Sequence, residues 1–445
     1  MKKFNFKVIT ATFICCTFLL TTSAFGFSSS SLKAAASKKT PVKLTFATFN
    51  TWWTTDNLKV AIKLFQEETG NIIDPQIYPD DQFTNIIKTK LATGDVPDLF
   101  EYNTSVKDFA PDQLDALQGL WTKKIDLKRA AINGYARVGD KNIYAAPFGP
   151  CGFQGMMYNK DVMKKAGVKL PLKTYKEFVA ACIAIKKIGV TPLYLPNKDG
   201  WTAQIVVYTG SMYIPIKSPF FTRKIYTNKM QYKNEPLMVD MLKRLVDLKT
   251  KGYMNTDMAS ATMAMAEQAL AEGKVAMVGG GNWLYADFQK NYADKASSIS
   301  MTAVNWGDDA STLGVMKSGS GSGLYIPTAS KNKTAAREFI NFVMSDKVMK
   351  AMYEAVPGAN DVGVKTKASP WDADMQGLID NKLAINLDPF MNAIANLKPG
   401  SGFEVGDMGS FGQSLFAGKD ITKVLEDLYS DGAKKNKAKG IPGFK

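Results

Sequence analysis

From residue 41 onward, short extended runs of apolar residues alternate with longer amphipathic ones. Residues 42–47 alternate apolar and polar positions and predict a strand, and 58–70 carry apolar residues at helical spacing before a glycine. The pattern then predicts a strand, a helix and a strand, at 72–78, 85–92 and 97–102. This order favours an α/β layer with a parallel sheet and right-handed crossovers, in which ligands bind beyond the carboxyl ends of the strands.

The second part of the chain has a different organisation. An extended segment broken by proline and glycine, 143–150, suits a strand that leaves one lobe for the next. A helix-rich region at 160–288 follows. A glycine-rich stretch at 318–323 then leads into an expected return strand at 324–327 and an amphipathic helix at 334–344.

The N-terminus predicts export. It opens with the basic residues Lys2, Lys3 and Lys7, and residues 8–27 carry no charge and end in small side chains. This pattern is typical of a secretory signal peptide, and we assign residues 1–36 to the signal peptide and a linker. The run is also long enough for a retained membrane anchor. Lipid attachment at Cys15 or Cys16 is the less favoured alternative, because both lie midway through the apolar run.

Composition limits the classes of function. Apolar residues make up 45% of the chain, which is enough for substantial cores, and the roughly 400 residues after the signal suggest two domains or lobes. The net charge is +15, and the lysines are mostly dispersed, so a solvated surface is favoured over an anionic ligand or an anionic envelope. No motif predicts nucleic-acid binding.

Histidine is absent from the sequence. That excludes Ser-His-Asp and Cys-His catalysis and zinc sites that need imidazole, while catalysis by paired carboxylates stays open. We expect no metal and no cofactor. The two cysteines after the signal, Cys151 and Cys182, are expected to be free thiols, although a disulfide between them is an alternative.

Five segments in order resemble the family 1 extracellular solute-binding proteins, the receptors of carbohydrate ABC importers that include the maltodextrin-binding proteins. They include a helix, glycine and Pro-Asp before a strand, a Tyr-Asn-Lys-Asp motif after a hinge crossing, and a Gly-x-Trp turn. The segments are 87–100, 144–161, 165–178, 272–283 and 325–339.

The resemblance implies a two-lobed periplasmic-binding-protein fold of type II. Each lobe would be a mostly parallel sheet flanked by helices, and hinge strands near Pro147 and Ser322 would join the lobes. Lobe 1 is expected at 41–148 plus 321–360, lobe 2 at 149–320 plus 361–433, and a basic tail at 434–445. The protein would be a monomeric receptor without catalytic activity, which closes on a sugar and delivers it to the membrane permease of an ABC importer.

A sugar site needs aromatic faces for the ring carbons and planar polar side chains for the hydroxyls. The candidates are Trp52, Trp53, Asp81, Glu101, Tyr102, Gln154, Asp199, Trp201, Asn282, Trp283 and Trp306. The resemblance places ligand contacts near Glu101, Trp201 and Trp283, whereas the two tryptophans at 52 and 53 are expected in a polar loop, residues 50–56, after the first strand. For Asp81 a helix N-cap is the alternative.

Other functions stay open. The number of candidate rings favours a di- or oligosaccharide over a monosaccharide, and the positive charge leaves an acidic sugar, a non-sugar or another anionic solute as alternatives. A secreted carbohydrate-active enzyme would need two carboxylates roughly 5–10 Å apart, for which Asp81 and Glu101 are the candidates. A structural or adhesive envelope protein that binds anionic polymers is the third hypothesis.

Overall fold

The computed structural model describes residues 40–445, with the exception of 55–56, 103–105, 126, 128–133, 138, 148–152, 199, 318–322, 356–372, 382, 386–406, 439, 442 and 445. The chain divides into two units, Met1–Thr40 and Pro41–Lys445, and all of the described helices and strands lie in the second. The predicted signal peptide and Cys151 lie outside the described residues. Within them, no helix has both the length and the apolar character required to span a bilayer.

The described part of the chain forms two sheets and surrounding helices. The strands are β1 (Lys43–Phe49), β2 (Ile72–Tyr78), β3 (Leu99–Tyr102), β4 (Ala146–Pro147), β5 (Phe153–Asn159), β6 (Thr191–Tyr194), β7 (Val275–Gly281), β8 (Ile299–Thr302), β9 (Val315–Lys317), β10 (Gly323–Tyr325) and β11 (Ala384–Ile385). The helices are α1 (Asn50–Thr54), α2 (Asn57–Thr69), α3 (Asp80–Thr93), α4 (Lys160–Ala166), α5 (Tyr175–Lys187), α6 (Gly200–Thr209), α7 (Tyr213–Lys217), α8 (Phe221–Tyr226), α9 (Pro236–Thr250), α10 (Met263–Ala271), α11 (Leu284–Asn291), α12 (Lys333–Val343), α13 (Asp346–Ala355), α14 (Ala373–Asp380), α15 (Asp407–Phe416) and α16 (Ile421–Ala438).

The first sheet has the strand order β2-β1-β3-β10-β4. Strands β1, β2 and β3 are parallel, as the alternating pattern predicts, and β10 is antiparallel to its neighbours β3 and β4. Helices α2 and α12 pack together through Phe65 and Phe339, whose ring centroids lie 5.1 Å apart. The helix expected at 334–344 is therefore present and returns the chain to the core of the first sheet.

The second sheet has the order β11-β9-β5-β7-β6, with β8 also paired to β5. Its central strand β5 is antiparallel to β7, β8 and β9. Successive side chains of a strand point to opposite faces, and accordingly Met156 and Tyr158 join one core cluster while Met157 joins another. Helices therefore cover both faces of this sheet.

Among the described strands, each sheet has one strand that is antiparallel to the others: β10 in the first sheet and β5 in the second. Each of these is the strand by which the chain enters that sheet from the other one. The chain leaves the first sheet after β4 and enters the second at β5, and it returns from β9 to β10. The ends of these two crossings lie beside each other, because Pro147 pairs with Gly323 on one side and Phe153 pairs with Lys317 on the other. This arrangement is the mixed α/β fold with two sheets that the sequence predicts, and the residue boundaries of the two lobes stay a prediction.

Three local features differ from the expected pattern or refine it. The polar segment after β1 is the short helix α1 instead of a loop, and the ring of Trp52 packs on Phe49 with 4.5 Å between the centroids. The segment expected as a basic tail includes the last residues of α16 and the buried Phe444. Cys182 is a buried free thiol, as expected, and burial raises its pKa to about 12.

Candidate functional site

The carboxyl ends of β1 and β3 carry four of the candidate residues. Trp52 and Trp53 lie half-buried in α1, directly after β1, and the Lys59 ammonium lies 4.8 Å from the centroid of the Trp53 ring. Glu101 and Tyr102 end β3, next to β10. The strand register therefore brings these candidates to one edge of the first sheet, beside the crossings.

Glu101 is an acidic residue inside the fold, with 3% of its surface exposed. Burial raises the pKa of its carboxyl to about 8, and the Thr48 hydroxyl, which donates a 2.7 Å hydrogen bond to Oε2, acts in the opposite direction. Near neutral pH the side chain is therefore mostly protonated, and a carboxylic acid both donates and accepts hydrogen bonds. Thr48 is a residue that the sequence analysis missed, since only the pairing of β1 with β3 connects it to Glu101.

This raised pKa predicts a dependence of stability on pH. The folded-state pKa of about 8 lies above the ordinary value of 4.5, so the folded protein holds a proton that the unfolded chain releases between these values. The free energy of unfolding should therefore fall, by up to about 1.4 kcal/mol per pH unit, as the pH rises through this window. We expect Glu101→Gln to remove this contribution, so that the variant gains stability relative to the wild type towards pH 8.

The measurement is urea unfolding of both proteins from pH 5 to pH 9, because the difference between them cancels the other titrating groups. Thr48→Val serves as the companion variant. It keeps the acid but removes its hydrogen-bond donor, so the pKa of Glu101 should rise further and the loss of stability should continue to a higher pH than in the wild type. Parallel curves for the wild type and Glu101→Gln would contradict the assignment.

Tyr102 has a different environment from Glu101, although the two are adjacent. Its side chain is fully buried, and its hydroxyl donates a 3.0 Å hydrogen bond to Asp108 Oδ2. Its ring packs against Phe109 with 4.7 Å between centroids. These contacts favour a role in the core of the first sheet.

Two candidate carboxylates have less structural support. Asp81 lies in the first turn of α3, where Pro79 occupies the N-cap position, and its side chain is outside the description. Asp199 lies outside the described residues. Both therefore stay predictions from the sequence.

The second sheet presents a further group of candidates at its edge beside the crossings. Gln154 on β5 pairs with Gly281 at the end of β7 and with Met316 on β9. Its side chain is 9% exposed, and its Oε1 accepts no hydrogen bond from any described residue. An unpaired buried acceptor is costly, and a donor such as a ligand hydroxyl would satisfy it.

Trp283 is held over Gly281. A Cβ atom at position 281 would lie 2.0 Å from the indole ring of Trp283, so only glycine leaves room for this ring position. The ring is half-buried and packs beside the same core cluster as Trp201, in the first turn of α6. The sequence predicts Trp283 as a candidate but not the need for Gly281 beneath its ring, which the run of glycines at 279–281 could have indicated. Asn282, between them, is fully buried.

Trp306 lies inside a core of the second sheet. It is fully buried, its ring lies 6.0 Å from that of Phe178, and a Cβ at Gly210 would come within 2.2 Å of it. Its indole Nε1 has no hydrogen-bond partner among the described residues. This environment favours packing over contact with a solute.

Comparisons with known proteins agree with this architecture. The family model for bacterial extracellular solute-binding proteins matches residues 51–350. The chain is 27% identical over 333 residues to the multiple sugar-binding protein of Streptococcus mutans, an alignment that covers 72% of this chain and 76% of the relative. It is 24% identical over 343 residues to the melibiose/raffinose/stachyose-binding protein of Bacillus subtilis, with coverage of 74% and 76%.

Solved structures share the fold at low sequence identity. A chitin oligosaccharide binding protein superposes with a TM-score of 0.71 at 20% identity, over 89% of this chain and 99% of that one. A sugar transporter protein from Bacillus licheniformis, in complex with stachyose, superposes with a TM-score of 0.70 at 20% identity, over 88% and 100% of the chains.

Proposed function

Because the chain belongs to the family of bacterial extracellular solute-binding proteins, we propose that it is a receptor that binds a di- or oligosaccharide and delivers it to an ABC importer. The relatives named above are described as binding multiple sugars and melibiose, raffinose or stachyose. The observation that carries the proposal is the position of the half-buried tryptophans. They lie at the edges of both sheets where the paired crossings join them.

We assign the two faces of the site as follows. Trp52, Trp53 and Glu101 would contact the sugar from the first sheet, and Gln154, Trp201 and Trp283 from the second. Indole rings supply flat apolar faces for sugar C–H groups, and the acid and amide supply hydrogen bonds to hydroxyls. Tyr102 and Trp306 are omitted because their rings pack within the cores, and Asn282 is omitted because none of its surface is exposed. Asp81 and Asp199 are retained on the sequence pattern alone.

Closure of the two sheets on the ligand is the proposed mechanism. Hinges of binding proteins are a few residues between rigid elements. Here the chain passes between the two sheets at residues 148–152, 318–322 and 356–372, which link β4 to β5, β9 to β10 and α13 to α14. A sugar that contacts both sheets favours the closed form, because it binds that form better than the open one. The closed, monomeric receptor would then dock on the membrane permease.

We also propose that the protein is exported and that it has no catalytic activity. Membership of an extracellular family supports export, and residues 1–36 would be the signal peptide, which N-terminal sequencing of the exported protein tests. A carbohydrate-active enzyme is disfavoured because the family to which the chain belongs is one of solute-binding proteins. Release of reducing sugar from a glycan panel by the wild type would support that alternative.

The experiment that tests the function is a melting-shift screen against mono-, di- and oligosaccharides, acidic sugars and polyols. A ligand that binds only the folded state stabilises it by about 2.7 kcal/mol at a hundred times its Kd, which raises the melting temperature by several degrees. We expect this shift for at least one neutral di- or oligosaccharide. A shift with acidic or non-sugar solutes alone would contradict the proposal.

A further inference from the structure

One surface of the molecule combines an exposed aromatic side chain with unpaired cations. Phe220, which precedes α8, has 64% of its surface exposed. Arg223 and Lys224 follow it by three and four residues, so they lie on the same side of α8 one helical turn away. Both are exposed, and neither forms an ion pair with a described residue.

The C-terminal segment brings further positive charge to the end of α8. Asn228 donates a 2.7 Å hydrogen bond from Nδ2 to the carbonyl oxygen of Gly443, and its Oδ1 accepts a hydrogen bond from the Tyr429 hydroxyl on α16. Phe444 is buried in the core, which fixes this junction. Both chain segments carry exposed lysines, at Lys229, which follows Asn228, and at Lys434 and Lys437, which lie between Tyr429 and Gly443.

We name these side chains the aromatic–basic patch, which consists of Phe220, Arg223, Lys224, Lys229, Lys434 and Lys437. Three carboxylates on neighbouring chain segments are already engaged by other cations. Asp431 pairs with Lys435 at 2.7 Å, Glu426 pairs with Lys233 at 2.7 Å, and Asp309 pairs with Lys217. The five cations of the patch are therefore left without an acidic partner among the described residues.

We propose that the aromatic–basic patch binds the surface of an anionic lipid bilayer. Clustered cations are attracted to anionic headgroups, and an adjacent exposed aromatic ring gains free energy by entering the interfacial layer. The exposed phenylalanine favours a bilayer over a soluble polyanion, since a phosphate polymer offers no apolar layer. This contact is independent of the sugar site and would keep the receptor beside a membrane component.

The test is cosedimentation of the exported protein with vesicles of equal parts phosphatidylglycerol and phosphatidylcholine, and with pure phosphatidylcholine. The patch variant is Arg223→Gln, Lys224→Gln, Lys434→Gln and Lys437→Gln. The matched control is Lys164→Gln, Lys165→Gln, Lys169→Gln and Lys173→Gln, which removes the same charge from exposed lysines on α4 and the loop after it. All proteins share one N-terminus, so any binding by that segment is common to them.

We expect the wild type to bind the anionic vesicles better than the neutral ones, and less well as salt is raised. The patch variant should bind at least about tenfold more weakly, since each basic residue near an anionic surface contributes about a fivefold factor before screening. The control should stay within about twofold of the wild type. Equal losses in both variants would show that net charge alone drives binding and would overturn the proposal.

Phe220 supplies an independent measurement. Phe220→Ala should weaken binding to anionic vesicles without changing binding to soluble polyphosphate. Phe220→Trp places an indole at the patch, and a blue shift of its emission, measured as the difference from the wild type, should accompany anionic vesicles but not polyphosphate. An unchanged vesicle affinity for Phe220→Ala, with no shift for Phe220→Trp, would identify a surface for soluble polyanions instead and would overturn the proposal.

Discussion

The double variant Trp53→Ala, Trp283→Ala should lose sugar binding, with a Kd raised about a hundredfold or more over the wild type. Each substitution removes an aromatic face from a different sheet, so the ligand loses stacking contact on both sides of the site. Both side chains are half-buried, so their loss should destabilise the fold less than the loss of a core tryptophan. Calorimetric titration with the sugar identified in the melting-shift screen gives the affinity.

Two control variants separate stacking from general damage. Trp53→Phe, Trp283→Phe keeps an aromatic face at each position and should retain most of the affinity. Gly281→Ala keeps both indoles but forces the Trp283 ring to move, since the new Cβ would lie 2.0 Å from it, and we expect at least about a tenfold loss. Gly377→Ala is the matched substitution, because its Cβ would meet only Asn381 at 3.6 Å. Wild-type affinity in the double variant would refute the assigned site.

Trp306→Ala should lower the free energy of unfolding by about 3–5 kcal/mol, the range for removal of a large buried aromatic side chain. The ring is enclosed by Phe178 and by the backbone at Gly210, so its removal leaves a cavity that these neighbours fill only in part. The Trp306 carbonyl oxygen also accepts a 2.7 Å hydrogen bond from Arg244, which anchors the backbone at this position. Urea unfolding measures the loss of stability.

Sugar affinity decides whether Trp306 also contacts ligand. We expect the folded Trp306→Ala protein to bind the sugar within about twofold of the wild type, because the ring is fully buried. Trp306→Phe retains most of the ring and removes the Nε1 donor, which has no described partner, so it should cost far less stability. A large loss of affinity in the alanine variant, at temperatures where it is fully folded, would restore Trp306 to the binding site.

The local pattern of apolar and polar residues was sufficient to predict most of the individual helices and strands. The period of two in β1, the helical spacing of α2 ending at Gly70 and the amphipathic pattern of α12 all follow from side chains that must be buried on one face. The helix α1 was not predicted, because its formation depends on the packing of Trp52 on Phe49. Five residues have little helical preference of their own, and tertiary contact decides their conformation.

The sequence by itself determined the chemistry that this protein can perform. Because the sequence contains no histidine, it excludes the classes of catalysis that require an imidazole. Its tryptophans, carboxylates and amides supply the groups that a sugar site needs. The tertiary structure alone decided which of them meet. It buries Tyr102 and Trp306, connects Thr48 to Glu101 and places Gly281 beneath Trp283. Strand pairs such as Pro147 with Gly323 join residues that are far apart in the chain. The burial of a side chain depends on all the residues packed around it. A local sequence pattern therefore encodes neither the strand pairing nor the burial.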